Sequence, residues 1–102
     1  MRRFEILLPR RHNDGTAVPD ALIGETIVML REKFGAASFE TQSIQGLWQH
    51  EGEVYSDDLV RVFVDVTDTD QNRSWFLEFK ERLKRDYRQL DIWMTTYPIE
   101  VL

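Results

Sequence analysis

The stretch Leu59-Val60-Arg61-Val62-Phe63-Val64-Asp65-Val66 decides the fold of this chain. Its four valines alternate strictly with a cation, an aromatic ring and a carboxylate, and this period of two is typical of a strand with one buried face. We therefore predict a strand over residues 59–66. Its valines should face the core, so that Arg61, Phe63 and Asp65 lie on the opposite face of the sheet.

The segments on either side of this strand supply the remaining elements. Toward the amino terminus the sequence predicts a strand over residues 4–8, a helix over 20–34, a strand over 38–50 and a hairpin loop over 51–58. Toward the carboxyl terminus it predicts a helix over residues 73–89 and a last strand over 91–97. The predicted element order is therefore β-α-β-β-α-β.

Apolar residues at three-to-four spacing predict both helices. The first stripe consists of Leu22, Ile23, Ile27, Leu30 and Phe34, and the second consists of Phe76, Phe79, Leu83 and Tyr87. In the predicted second strand, Gly46 indicates a bulge or a close backbone approach, because a glycine in a strand interior weakens the pairing there. A bulge at Gly46 would exchange the two faces of that strand.

This element order resembles the ferredoxin-like superfold over essentially the whole chain, residues 1–102. The resemblance implies a single α+β domain, with a four-stranded antiparallel sheet and two helices on one of its faces. It implies no particular activity, because the superfold hosts many unrelated functions.

Composition restricts the classes of function. The 102 residues include no cysteine, which excludes disulfides, thiolate metal sites and cysteine nucleophiles. The formal net charge of −5 disfavours binding to nucleic acid or to an anionic membrane, since both depend on a positive field. No apolar window has the length of a membrane span and no secretory signal pattern is present, so we expect a cytoplasmic protein.

In such a fold one face of the sheet packs on the helices and the other face is left open. Alternation along the strands places Phe63, Trp93 and Tyr97 on the open face, and Trp48 of the second strand is predicted to join them. A bare face with these rings is too apolar for an ordinary monomer. We expect these four residues to form an interface between two copies of the chain.

The aromatic face has three functional explanations, beside the structural one that a loop simply covers one of the rings. The first is a homodimer stacked sheet to sheet, as in the dimeric α+β barrels of this superfold. The second is a pocket for a ligand or peptide, and the third is a surface that stacks RNA bases on its aromatic rings. The RNA explanation fits least well, because the third strand has one aromatic residue and no glycine, and the chain is acidic.

The loop after the first strand carries Arg10, Arg11 and His12 and leads into the first helix, whose amino-terminal amides favour an anion. These three residues, together with His50 and Arg61, are the candidate ligand-binding residues for a small anion. A solvated polar turn is the competing interpretation of this loop.

Two groups of carboxylates have structural interpretations. His50 is followed by four carboxylates, at Glu51, Glu53, Asp57 and Asp58. Their spacing matches no metal-binding loop, so we expect a charged hairpin tip and no metal site. Asp68 and Asp70 follow the third strand and are predicted to cap the second helix.

No nucleophile elbow, phosphate-binding loop, dinucleotide fingerprint or zinc-protease helix is present in the sequence, and no cofactor is expected. The sequence therefore favours a non-enzymatic module that forms a homodimer through its open sheet face. The alternative is a small-molecule sensor or enzyme, with a pocket between the sheet face and the first loop.

Overall fold

The computed structural model describes the chain from residue 1 to residue 102. Its elements in chain order are β1 (Arg2–Pro9), α1 (Asp20–Phe34), β2 (Ser38–Phe39), β3 (Ile44–His50), β4 (Glu53–Val66), α2 (Asp70–Asp86) and β5 (Met94–Pro98). Every strand pair is antiparallel, and the sheet has the order β2-β4-β1-β5 with β3 also paired to β4. The predicted α+β class is confirmed, but the sheet has five strands rather than the four predicted from the sequence.

The additional strand arises because the predicted second strand is interrupted at residues 40–43. Phe39 pairs with Val62, and Ile44 pairs with Leu59. Ile44 therefore lies five residues after Phe39, whereas their partners on β4, Leu59 and Val62, lie only three residues apart. Two extra residues are thus accommodated between β2 and β3. A polar segment, rather than a glycine, forms the interruption.

The bulge predicted at Gly46 is therefore wrong, since Gly46 is paired in register with Asp57. Because two extra residues precede it rather than one, the alternation of β3 keeps its parity relative to β2. Trp48 pairs with Tyr55 and lies on the open face of the sheet, as the sequence predicted.

The loop predicted over residues 51–58 is also wrong, since it shrinks to a two-residue turn. Glu51 and Gly52 both have positive φ, at 50° and 83°, and β4 begins at Glu53. Positive φ at both central positions is the type I′ geometry that matches the twist of paired strands. β3 and the first half of β4 therefore form a two-stranded hairpin, residues 44–59, which we call the arm.

The arm extends past the rest of the sheet. β1 pairs with β4 only from Leu59 onward, so no third strand lies beside the arm. The molecule is accordingly elongated, with principal extents of 41 × 28 × 23 Å. None of the fifteen buried apolar residues of the core lies within residues 44–59.

The core lies between the sheet and the two helices. β4 contributes Val60, Val62, Val64 and Val66, as predicted, and β1 contributes Phe4, Ile6 and Leu8. The helices pack onto these strands with Ile23 and Leu30 from α1 and with Phe76, Phe79 and Leu83 from α2. The rings of Phe4 and Phe76 stack with their centroids 3.9 Å apart, which joins the two layers.

α1 has the predicted bounds, whereas α2 begins and ends three residues before its predicted bounds. The N-cap of α2 is Thr69, whose hydroxyl accepts a hydrogen bond of 3.1 Å from the backbone N–H of Asn72. The predicted caps at Asp68 and Asp70 are therefore wrong, and Asp68 instead pairs with Arg2 at 3.0 Å. Neither helix is long and apolar enough to cross a membrane.

Candidate functional site

The open face of the sheet has Phe63 at its centre. Two guanidinium groups cover its ring, with Cζ of Arg3 4.4 Å and Cζ of Arg61 4.7 Å from the ring centroid. An arginine over an aromatic face makes a favourable cation–π contact. The ring is therefore not bare, and the centre of the face is more polar than the alternation of β4 indicates.

Carboxylates pair with both of these arginines. Arg3 donates from Nε and Nη2 to the two oxygens of Asp65, at 2.7 and 3.0 Å. Arg61 donates to Glu5 at 2.5 Å and to Glu40 at 2.7 Å. Arg61, a predicted ligand-binding residue, is thus already paired within the sheet.

The pKa values of the carboxylates agree with this pairing. The hydrogen bond from Arg3 holds the pKa of Asp65 below its ordinary value. Burial raises the pKa of Glu5, but hydrogen bonds from Tyr97 and Arg61 outweigh it and leave that pKa below the ordinary value. The centre of the face is therefore a charge-paired layer at neutral pH.

A cleft of about 740 Å³ opens at the end of the open face nearest the arm. Seven of the strand residues that line it lie on the open face, namely Leu7, Pro9, Gly46, Trp48, His50, Asp57 and Leu59, and two more, Leu47 and Gln49, lie on the other face of β3. The opposite wall is formed by Lys84 near the end of α2 and by residues 89–93, which lead into β5. The cleft brings together three predicted site residues, Trp48, His50 and Trp93.

Trp48 is held in the wall of the cleft by two contacts. Its Nε1 donates a hydrogen bond of 2.6 Å to Oδ2 of Asp57, and its ring stacks on Tyr55 with centroids 4.5 Å apart. Asp57 faces Gly46 in the register, and a glycine places no side chain beside the carboxylate. The cleft therefore has a fixed aromatic wall, and the carboxylate next to it borders open space.

Three ionised side chains line the cleft, and two of them are paired. Lys84 lies 3.4 Å from Glu81, and Asp91 lies 3.2 Å from Lys80. Asp57 makes no ion pair with any basic group of the chain. The cleft therefore contains one negative charge that the protein itself does not neutralise.

The arm also exposes apolar side chains on its other face. Leu47 is 78% exposed and Val54 is 68% exposed. They are diagonal neighbours across the hairpin, because Leu47 pairs with Ser56, two residues from Val54. Across the cleft, Trp93 is 66% exposed. Apolar surface therefore lies uncovered on both faces of the arm end of the molecule.

The first loop makes structural contacts and does not line the cleft. Arg10 donates from Nε to the hydroxyl of Ser43 at 2.9 Å, and Nδ1 of His12 donates to the backbone carbonyl of Tyr87 at 2.9 Å. These bonds fasten the loop to the segment before β3 and to the end of α2. The structure does not bring together the five anion-binding candidates Arg10, Arg11, His12, His50 and Arg61. No group of three or more histidine or carboxylate side chains is placed to hold a metal ion.

Sequence reasoning missed the cleft because it placed Asp57 in a loop. The signal that indicates the arm is the pair Val54-Tyr55, two residues that favour strands, one residue after the turn at Glu51-Gly52. With that strand in place, alternation puts Tyr55 and Asp57 on the face of Arg61.

No protein-family model and no curated protein sequence matches this chain. A phage SAM lyase, solved in complex with S-methyl-5′-thioadenosine, superposes with a TM-score of 0.71 at 12% identity, over 94% of this chain and 79% of the lyase chain. CutA1 from Pyrococcus horikoshii superposes with a TM-score of 0.62 at 14% identity, over 100% and 86% of the two chains. The divalent cation tolerance protein CutA1 from Thermus thermophilus gives a TM-score of 0.59 at 17% identity, over 97% and 84%. At these identities the likeness shows the fold alone, a small ferredoxin-like α+β fold.

Proposed function

We propose that this chain is a self-associating module, whose smallest assembly is a homodimer formed through the arm and the adjoining end of the open face. The observation that supports this proposal best is the exposure of Leu47 and Val54 on an arm of only two strands. Leu47 and Val54 are neighbours and form a contiguous apolar patch, and contiguous exposed patches mark surfaces that a partner covers.

The architecture of the arm favours the same proposal. An isolated two-stranded hairpin is marginally stable in water, and the arm has no third strand and no core residue of its own. β3 is also an edge strand, and its outer backbone groups have no partner strand within the chain. Contact with a second copy would cover both the apolar side chains and this edge.

A second copy of the chain is the partner that this surface fits. Under a two-fold axis the same arm on each copy meets the other, so one apolar patch serves as both halves of the interface. Trp48 and Trp93 line the cleft that adjoins this patch, and we assign them to the rim of the interface, where they remain open to the cleft. Phe63 and Tyr97 belong to the charge-paired layer farther along the face, and we assign them to the rim of the interface.

The proposal is tested by the substitution Leu47→Glu. Placing a carboxylate in the buried part of an interface removes apolar area and leaves a buried charge without a partner. We therefore expect the dimer to dissociate at micromolar concentration. The matched control is Leu77→Glu, which makes the same change at a residue of α2 that is 59% exposed. Light scattering after size exclusion gives the mass of each variant.

The two variants give a clear decision. A dimeric wild-type chain, a monomeric Leu47→Glu chain and a dimeric Leu77→Glu chain support the proposal. A monomeric wild-type chain at tens of micromolar, or a Leu47→Glu chain that keeps the dimer mass, would overturn it. Circular dichroism verifies that both variants keep their helices.

The cleft favours a second candidate function, which is binding of a small molecule. Its volume of about 740 Å³ falls in the range of ligand pockets, and its walls combine aromatic and aliphatic side chains with a few polar groups. The phage SAM lyase of similar fold was solved with S-methyl-5′-thioadenosine, which supports a small-molecule role for this fold. The predicted sensor or enzyme thus has a candidate pocket, but between the open face and the arm rather than beside the first loop.

A further inference from the structure

We propose that the cleft binds an organic cation, such as a quaternary ammonium compound, with Asp57 as its counter-ion and with Trp48 and Trp93 as its aromatic contacts. This inference rests on the second candidate function, small-molecule binding in the cleft, and names the class of ligand. It does not depend on self-association.

The charge of the cleft selects a cation. Asp57 is half-buried and has no ion-pair partner, whereas Lys84 and Asp91 are each paired with a residue of α2. Oδ2 of Asp57 accepts the indole N–H of Trp48, which leaves Oδ1 without a hydrogen-bond partner in the chain. A ligand that brings a positive charge therefore completes the pairing, and an anion would meet an uncompensated carboxylate.

The aromatic walls select a cation with a large, weakly hydrated surface. Trp48 is fixed by its hydrogen bond and by the stacked ring of Tyr55, so its position does not depend on the ligand. Trp93 lines the same cleft and is largely exposed. Tryptophan faces attract a quaternary ammonium group more strongly than other aromatic side chains do, and prior fixation of the ring lowers the entropic cost of binding.

Gly46 supplies the space next to Asp57. A Cβ at this position would lie 3.1 Å from Cδ1 of Leu59, so the two strands already pack closely on that side. Any larger residue at this position, which itself lines the cleft, would crowd Leu59. The glycine in the middle of β3 is therefore explained by the close approach of Leu59, whereas no bulge is present to explain it.

Choline and its neutral isostere 3,3-dimethyl-1-butanol form a matched pair of probes, and S-methyl-5′-thioadenosine is a third, uncharged probe. Each is titrated into the full chain at constant ionic strength, and the three indole N–H signals are followed by NMR. Trp75 packs against Phe79 away from the cleft and serves as the internal reference. We expect choline to shift the signals of Trp48 and Trp93 and to leave the signal of Trp75 unchanged.

The variant Asp57→Asn removes the charge but keeps an oxygen that accepts the Trp48 N–H. We expect it to weaken choline binding about tenfold, the size of one charge-assisted contact. The matched control is Asp58→Asn, which makes the same change at the neighbouring residue on the other face of the arm. We expect that control to bind choline as the wild type does.

Equal shifts with choline and with the neutral isostere, or equal affinity in the wild type and Asp57→Asn, would overturn the assignment of a cation. Binding of S-methyl-5′-thioadenosine without choline binding would also overturn it, while leaving small-molecule binding in place. Failure of all three probes to shift Trp48 and Trp93 would overturn this inference together with the second candidate function. Light scattering on the same samples measures the molecular mass and so tests self-association separately.

Discussion

Tyr87 illustrates at the scale of one residue how a polar group is accommodated in the core. Its ring is fully buried, and its hydroxyl lies 2.7 Å from Oγ1 of Thr26, which is itself buried. Thr26 in turn donates to the backbone carbonyl of Leu22 at 2.9 Å. Burial raises the pKa of Tyr87 to about 12, because a phenolate at this position would lose its hydration.

The substitution Tyr87→Phe should change both the stability of the chain and its dependence on pH. At pH 7 we expect a loss of about 1 kcal/mol in the free energy of unfolding, the typical contribution of one hydrogen bond. In the wild type, the raised pKa stabilises the fold below about pH 10, where unfolded tyrosine begins to ionise. That contribution, no more than about 2.7 kcal/mol, is lost as the pH rises from 10 to 12.

Urea unfolding of both proteins between pH 7 and pH 11.5 measures this effect. Because the phenylalanine of the variant does not titrate, the difference in stability should shrink above pH 10 and then reverse in sign. A constant difference over the whole range would show that Tyr87 ionises equally readily in the folded and unfolded states.

The sequence predicted where single side chains point, but not what covers them. Alternation along β4 places Phe63 on the open face, and the structure confirms it. The two guanidinium groups over its ring come from Arg3 and Arg61, and Arg3 reaches it only because β1 pairs with β4 in the register that sets Arg3 opposite Asp65. Register between distant strands is a tertiary property, and no local pattern in the sequence specifies it.

At the scale of elements, the break between β2 and β3 is the feature that sequence reasoning misplaced. The prediction rested on Gly46, because a glycine in a strand commonly marks a bulge. The structure instead interrupts the strand at residues 40–43, where two residues are extra. A pair of extra residues preserves the alternation, so the cleft residue Trp48 keeps its face.

Deleting Thr41 and Gln42 together should therefore be tolerated. Both residues are exposed, and their removal leaves the faces of β2 and β3 in the same relation as before. We expect the free energy of unfolding to change by less than about 1 kcal/mol. We also expect the indole N–H signal of Trp48 to keep the position of a hydrogen-bonded group.

Deleting Thr41 alone is the control, because a one-residue change moves every side chain of one strand to the opposite face. The hydrogen bond from Trp48 to Asp57 and the stacking on Tyr55 would then be lost, at a cost of about 2 kcal/mol. Urea unfolding and the Trp48 signal distinguish the two deletions. Equal stability of the two deletion variants would show that the alternation of side chains between the two faces does not constrain this part of the sheet.

At the scale of the whole molecule, the chain consists of a packed body and an arm that shares none of its core. The body follows from sequence patterns, since its two apolar helix stripes and the valines of β4 specify the layers. The length of the arm does not follow from them, because its residues show no regular alternation of apolar and polar side chains. According to the proposed function, a second copy of the chain stabilises the arm.

Removing the arm provides the test at this scale. Ile44 lies directly opposite Leu59, so replacing residues 45–58 by Asn-Gly closes the hairpin with a two-residue turn of type I′. Because every core residue remains, we expect a folded monomer whose free energy of unfolding lies within about 1 kcal/mol of that of the monomeric Leu47→Glu chain.

The melting temperature of the full chain should rise with protein concentration, since association stabilises the folded state by mass action. The melting temperature of the shortened chain should be independent of concentration. Calorimetry over a hundredfold range of concentration, with light scattering at each end, measures both. A shortened chain that still dimerises would place the interface on the open face alone, and one that fails to fold would show that the arm belongs to the folding unit.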